Sequence, residues 1–215
     1  MTSAPPDADI RLYYRPGSAA LAPHGALLAA GVEPELVYVG RDGDAVDPPD
    51  YVRLNPMGVV PTLVRGDLVV TEAAAVVQYV ADSWPAAGLL PTHGTRERVR
   101  AVELLAFLST TPQQALLRFL YPERYTTASH AEGVREAAAA ALDRQFGWLE
   151  SVLAAQPALL GGDVCAVDFY LHMLIRWGRH LDPDARTRGA FAPYYRRLSE
   201  HPPVALALER QGLEA

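Results

Sequence analysis

The stretch Asn55-Pro-Met-Gly-Val-Val-Pro-Thr-Leu-Val-Arg-Gly-Asp-Leu-Val-Val-Thr-Glu-Ala73 packs a turn, a hairpin and a helix start into consecutive residues. Pro61–Val64 and Leu68–Val70 are short apolar runs around Arg65-Gly-Asp67, a hairpin signal. Thr71 is able to cap the Ala/Val helix that follows to about Asp82, with Glu72 in its first turn. Pro61 opens the first strand, and an X–Pro amide has lost most of its preference for trans. A cis bond there would turn the N–H and C=O of Val60 sideways, where they can pair with the backbone of an extended ligand. An ordinary turn entering a strand explains the same residues. The first N–H groups of a helix lack partners and favour an anion, while Glu72 suits an ammonium group. N–H groups beside a carboxylate therefore match the zwitterionic end of an amino acid. A capped helix with an acid in its first turn is the simpler account.

Upstream, Ile10–Tyr14 reads as a strand and Arg15-Pro-Gly17 as a turn. Ser18–Ala30 carries apolar residues at helical spacing and stops at Gly31. Ser18 is the hydroxyl at the start of this helix, where it either faces the positive end of the dipole or serves as the N-cap. Glu35–Val39 is a second strand and Asp42–Pro49 a loop. The first eighty residues run β-α-β-α-β-β-α, a small mixed sheet with helices packed on it. Ser83–Thr95 holds Pro85, Gly88, Pro91 and Gly94 and reads as a linker. Beyond it only helices are expected: Arg96–Tyr121, Glu132–Ala155, Ala166–His180, Arg188–Glu200 and Pro203–Arg210. Pro112 should kink or split the first of them. The expected division is 10–83, a linker at 84–95, and a helical domain over 96–213.

Composition narrows the function classes. The chain has 215 residues, half of them hydrophobic and 20% charged, enough to bury a sizeable core. All 19 basic residues are arginine, and 25 acids give a net charge of −6. That balance argues against non-specific nucleic-acid binding and weakly against anionic membranes. No apolar run approaches the roughly 20 residues that span a bilayer. The polar segment 1–9 reads as a loose leader with no basic n-region, not a signal peptide. A cytoplasmic location is expected.

Cys165 is the single cysteine, so no internal disulfide or cysteine-rich zinc site is available. Gly161-Gly-Asp-Val-Cys-Ala-Val-Asp168 has a capping-box layout, with Cys165 at the N-cap, Asp168 at N3 and Val164 as staple. A structural role follows, with a reactive thiol as the lesser alternative. The six histidines are scattered, none at a metal-ligand spacing, so no metal is expected. Asp168 and His172 stand four apart, as a surface hydrogen bond would have them.

Taken together, the strand–Pro-Gly–helix opening, Asn-Pro-Met-Gly-Val-Val-Pro61, Thr-Glu72 and the Gly161–Asp168 box resemble a cytosolic glutathione S-transferase, most like the bacterial beta class. The resemblance runs from about Ile10 to Leu213. It implies an α/β thioredoxin-like N-terminal domain, an all-α C-terminal domain, a cytoplasmic homodimer, and glutathione as co-substrate. By position, Val60 before Pro61 would pair with the cysteinyl backbone of glutathione, and Glu72 with Ala73 would hold its γ-glutamyl end. Tyr14 matches a tyrosine at the end of the first strand. The family's sulfur-contacting cysteine corresponds to Ala19, its long-helix histidine to Gln113, and an asparagine to Ala106. A lysine of the family has no counterpart.

Two enzymatic readings follow. In one, Ser18, with Tyr14 beside it, stabilises the thiolate, which attacks a hydrophobic electrophile. In the other, the cleft serves a glutathione-independent isomerase or cyclase. A non-catalytic dimeric ligand-binding module is the third reading. The substrate side is expected from Tyr13, Phe107 and Gln113, in an apolar cleft that also draws on Leu108, Leu116 and Trp177.

Overall fold

The computed structural model describes residues 10–40 and 51–214. The leader 1–9 and the whole of the Asp42–Pro49 loop expected above lie outside them. Strand β1 (Ile10–Tyr14) is followed by α1 (Leu21–Ala29), β2 (Glu35–Tyr38), a single turn α2 (Tyr51–Leu54), β3 (Thr62–Arg65), β4 (Leu68–Thr71) and α3 (Ala73–Ser83). The sheet order is β2-β1-β3-β4, with β1 parallel to β2 and antiparallel to β3, and β4 antiparallel to β3. This is the mixed sheet that the order of elements implied. Alternation along the strands separates two faces. Leu12 and Leu63, directly paired, are fully buried on one, while Tyr13 and Val64 pack with Val39 and Tyr51 on the other.

The helices that follow are α4 (Arg96–Thr110), α5 (Pro112–Leu120), α6 (Ala131–Ala155), α7 (Ala166–Trp177), α8 (Phe191–Ser199) and α9 (Pro202–Arg210). Pro112 splits the expected first helix, as its missing N–H requires. Thr95 caps α4 by accepting the N–H of Arg98 at 3.1 Å. Among the described residues no helix is long and apolar enough to cross a membrane.

The chain forms two compact units: residues through Leu90 joined by His201 onward, and Pro91–Glu200. The tail departs from the expected division, because α9 packs on α1 rather than on the other helices. Its apolar positions Val204, Ala207 and Leu208 are buried, and Arg210 pairs with Glu33.

The second unit is built on α7, every residue of which is buried. Cys165 and Asp168 close the capping box at its start. The carboxylate of Asp168 accepts N–H bonds from Cys165 and Leu159, both at 2.9 Å, and the hydroxyl of Tyr194 at 2.7 Å. Burial pushes the Cys165 thiol well up, with Asp168 adding to it, so the helix N-terminus does not activate it. The expected surface contact between Asp168 and His172 is not formed. Both are buried, and Nε2 of His172 meets Ser199 Oγ at 3.0 Å.

Candidate functional site

Register brings the expected ligand-binding residues of the first unit to one edge of its sheet. Tyr13 pairs with Thr62, and Thr62 with Thr71. The C-terminal ends of β1 and β4 therefore meet the N-terminal end of β3. Tyr14, the Arg15–Ser18 turn, Val60-Pro61 and Glu72-Ala73 share that edge, where α1 and α3 both begin. Crevices at the carboxyl ends of parallel strands are where open α/β sheets bind ligands.

The Val60–Pro61 peptide is cis. The ladder pairings of β3 begin at Thr62, so Val60 stands outside the ladder. The residues before it are fixed from below. Asn55, buried, donates its side-chain N–H to the carbonyl of Val59 at 2.7 Å and accepts the N–H of Met57 at 3.1 Å. The Tyr51 hydroxyl donates to the same Val59 carbonyl and meets Thr62 Oγ1 at 3.1 Å. Burial raises the Tyr51 pKa, keeping that hydroxyl protonated as a donor. Tyr51 gave no signal in the sequence, since it sits in a short turn with no periodicity.

Glu72 departs from its expected setting. Thr71 ends β4 instead of capping α3, and the N-cap position falls to Glu72, with φ +66° and ψ 115° and no side-chain cap. A non-glycine residue at positive φ persists only where its surroundings hold it there, and such residues cluster at binding sites. Among the described residues the N–H groups of Ala73 and Ala74 find no acceptor. An exposed carboxylate thus stands beside unsatisfied amides at a helix start.

At the other helix start, Ser18 lies ahead of α1, not inside it. Its Oγ accepts the N–H groups of Arg15 and Ala20, both at 3.3 Å. Both bonds use oxygen lone pairs, so the O–H proton remains to be donated. Arg15 spans the same edge, donating Nε–H to Val39 O at 2.8 Å and Nη2–H to Gly40 O at 2.7 Å. Tyr14 is half-buried, its ring edge-on to Tyr38 at 6.2 Å.

The substrate-side expectations fare differently. Tyr13 is 7% exposed, its ring centroid 5.3 Å from that of Tyr51, so it belongs to the core rather than to a binding wall. A one-residue step along a strand changes the face, and sequence did not fix which tyrosine points outward. Phe107 and Gln113 lie in the second unit. The Phe107 ring packs edge-on against Trp148 at 4.9 Å. Gln113 accepts the Tyr170 hydroxyl at Oε1, which leaves its –NH2 as a donor. Leu108 and Leu116 are fully buried, and Trp177 is nearly so, so they are core residues too.

The family model for the glutathione S-transferase N-terminal domain matches residues 8–82. Glutathione S-transferase GstA of Escherichia coli O157:H7 is 28% identical over 212 residues, covering 95% of this chain and all of that one. The bacterial glutathione S-transferase BphK, solved as a ternary complex, superposes with a TM-score of 0.85 at 31% identity, over 94% of this chain and 100% of its own. A sphingomonad glutathione S-transferase complexed with glutathione gives 0.82 at 30% identity, over 95% and 100%. With its sheet order, its cis Val60–Pro61 and relatives matched along almost their whole length, the chain belongs to the glutathione S-transferase family and resembles the bacterial beta class.

Proposed function

We propose that the chain binds glutathione at the sheet edge of its first unit and transfers the sulfur to a hydrophobic electrophile. The observation that carries this reading is the pairing of an amide edge at Val60, held by Asn55 and Tyr51, with the carboxylate of Glu72 beside the open amides of α3. An extended peptide would pair with Val60, its α-carboxylate with the N–H groups of Ala73 and Ala74, and its ammonium with Glu72. The sphingomonad relative's complex with glutathione supports the same ligand.

In the transfer step the glutathione thiol gives its proton to solvent. The Ser18 O–H then donates a hydrogen bond to the thiolate. A sulfur electron pair forms the S–C bond, and the pair of the broken bond departs with the leaving group. Tyr14 borders the sulfur side of the edge, and Gln113 is assigned to the electrophile, whereas Phe107, packed on Trp148 in the hollow between α4 and α6, is not. Calorimetry at millimolar glutathione tests the reading: heat of binding is expected, and its absence sinks it. Ser18→Ala should lower conjugation about tenfold, the worth of one hydrogen bond to a developing charge.

The sulfur-facing cysteine position is filled by Ala19, which is buried. That observation keeps a second reading in play, a glutathione-independent isomerase or cyclase. Turnover in thiol-free buffer would favour it, and turnover only with glutathione would eliminate it.

The partner assigned is a second copy of the chain. Val99, 67% exposed, Val102 and Trp148 leave an apolar stripe on α4 and α6. An open hollow of about 320 Å³ lies between these two helices, lined by Leu104, Phe107 and Trp148 together with the charged Arg100, Glu103 and Arg144. Unpaired apolar area of this kind marks an interaction face. Light scattering should give twice the monomer mass at micromolar concentration. A cytoplasmic location completes the assignment.

A further inference from the structure

Gln211, just past the end of α9, is 4% exposed. Its Nε2 donates to Nδ1 of His24 on α1 at 3.2 Å, and its Oε1 accepts the backbone N–H of Gly17 at 3.2 Å. The amide thus uses a donor toward one partner and an acceptor toward the other. It sits this way round only while Nδ1 of His24 carries no proton. His24 meets that condition as the neutral Nε2–H tautomer, which the Gln211 amide itself selects by donating to Nδ1. Burial, with Arg210 acting in the same sense and Glu33 against it, lowers its pKa to about 4.

Gly17 has φ +67° and immediately precedes Ser18. The turn that carries the Ser18 hydroxyl is therefore held by a residue 194 positions away. Docking of α9 does not require these bonds. Val204, Ala207 and Leu208 are buried along it, and Arg210 pairs with Glu33. An apolar residue at 211 would fill the same space without reaching Gly17 or His24.

We propose that Gln211, oriented by His24, is a positioning residue that sets the Gly17–Ser18 turn and thereby aims the Ser18 O–H at the glutathione sulfur. This rests on the reading that glutathione binds at this edge. The bonds to Val60 and Glu72 do not pass through Gln211. Its loss acts on the ionisation of the bound thiol and on turnover, and leaves the capture of glutathione nearly untouched.

The test is Gln211→Leu, Ser18→Ala and their combination. Glutathione affinity is read by calorimetry, and ionisation of the bound thiol by ultraviolet absorbance of the thiolate against pH. For the unmodified protein, binding is expected with a thiol pKa below the ordinary value of about 8.5. Gln211→Leu should keep the affinity within about twofold, raise the bound-thiol pKa by about one unit and lower kcat about tenfold with KM little changed. Adding Gln211→Leu to Ser18→Ala should change the thiol pKa no further, because the two act through one hydroxyl.

A folded Gln211→Leu protein with unchanged thiol pKa, or an effect that adds in full to Ser18→Ala, overturns the positioning role while leaving glutathione binding intact. Failure of the unmodified protein to bind glutathione overturns both. One arm needs no variant. The Gly17 amide should be protected from hydrogen exchange in the unmodified protein, and exchange at the rate of an open loop overturns the proposal.

Discussion

Two helix starts in this chain are built on opposite plans. At α7 the first amides are closed off. Cys165 and Asp168 cap each other, and the same carboxylate also takes Leu159 N–H and the Tyr194 hydroxyl. At α3 the N-cap residue is Glu72 at φ +66°, its side chain caps nothing, and the amides of Ala73 and Ala74 have no acceptors among the described residues. Buried polar groups must be paired, and the α7 start meets that demand within the fold. An open helix start beside a carboxylate carried on strained backbone leaves the demand to be met from outside. One end therefore serves stability and the other binding, and each should respond to substitution in its own observable.

The largest effect is expected at α7. Asp168→Ala strands three donors in a buried site, and should cost about 4 kcal/mol of unfolding free energy. Denaturant midpoints followed by circular dichroism measure this. Glutathione affinity per folded molecule should not move. A loss under about 1 kcal/mol would mean that the closed start does not organise the helical unit.

Acid probes both units through buried histidines. His172, beside α8, has its pKa lowered to about 3 by burial and Arg176, and His24 in α1 has its own lowered to about 4. Each folded value lies below the unfolded 6.5, so the unfolded chain takes up protons first. Stability is fully present above about pH 6.5 and falls as pH drops toward the folded values. Between pH 8 and pH 5 each histidine should remove about 2 kcal/mol. Denaturant midpoints across that range check the slope, and His172→Gln should flatten it by one histidine's share.

Glu72→Gly should separate the two plans most cleanly. Glycine accepts positive φ, so folding stability should stay level or rise by up to about 1 kcal/mol. Removing the carboxylate should weaken glutathione binding at least tenfold, about 1.4 kcal/mol. Stability and affinity falling together would make the α3 start an ordinary cap, and the contrast with α7 would be lost.

What was legible in the chain follows the reach of each interaction. The hairpin around Arg65-Gly-Asp67, the helix after Glu72 and the Cys165–Asp168 box are local patterns, and they stand where their spacing puts them. The burial of Asp168 and His172 was not legible, because four-residue spacing says that two side chains share a face and not which way it looks. Tyr13 and Tyr14 could not be told apart, since each strand step reverses the face. The tie from Gln211 to Gly17 and His24 joins opposite ends of the chain, where no periodicity reaches. The start of α3 departed from Thr71 capping because Thr71 is taken up by the strand ladder opposite Thr62.

The smallest expected effect concerns how far the open site depends on what lies beneath it. Tyr51 is buried, and its ring packs on Tyr13 whether or not the hydroxyl is present. Tyr51→Phe therefore keeps the packing and removes one donor to the Val59 carbonyl, while Asn55 retains the other. Stability should fall by about 1 kcal/mol, the worth of one neutral hydrogen bond. If the Val59 carbonyl sets the direction of the next amide, glutathione should bind about fivefold more weakly, with the thiol pKa of the complex unchanged. Calorimetry and thiolate absorbance on the same preparation read both. An unchanged affinity would show that Asn55 alone holds the Val60 edge, and would confine Tyr51 to the core it shares with Tyr13.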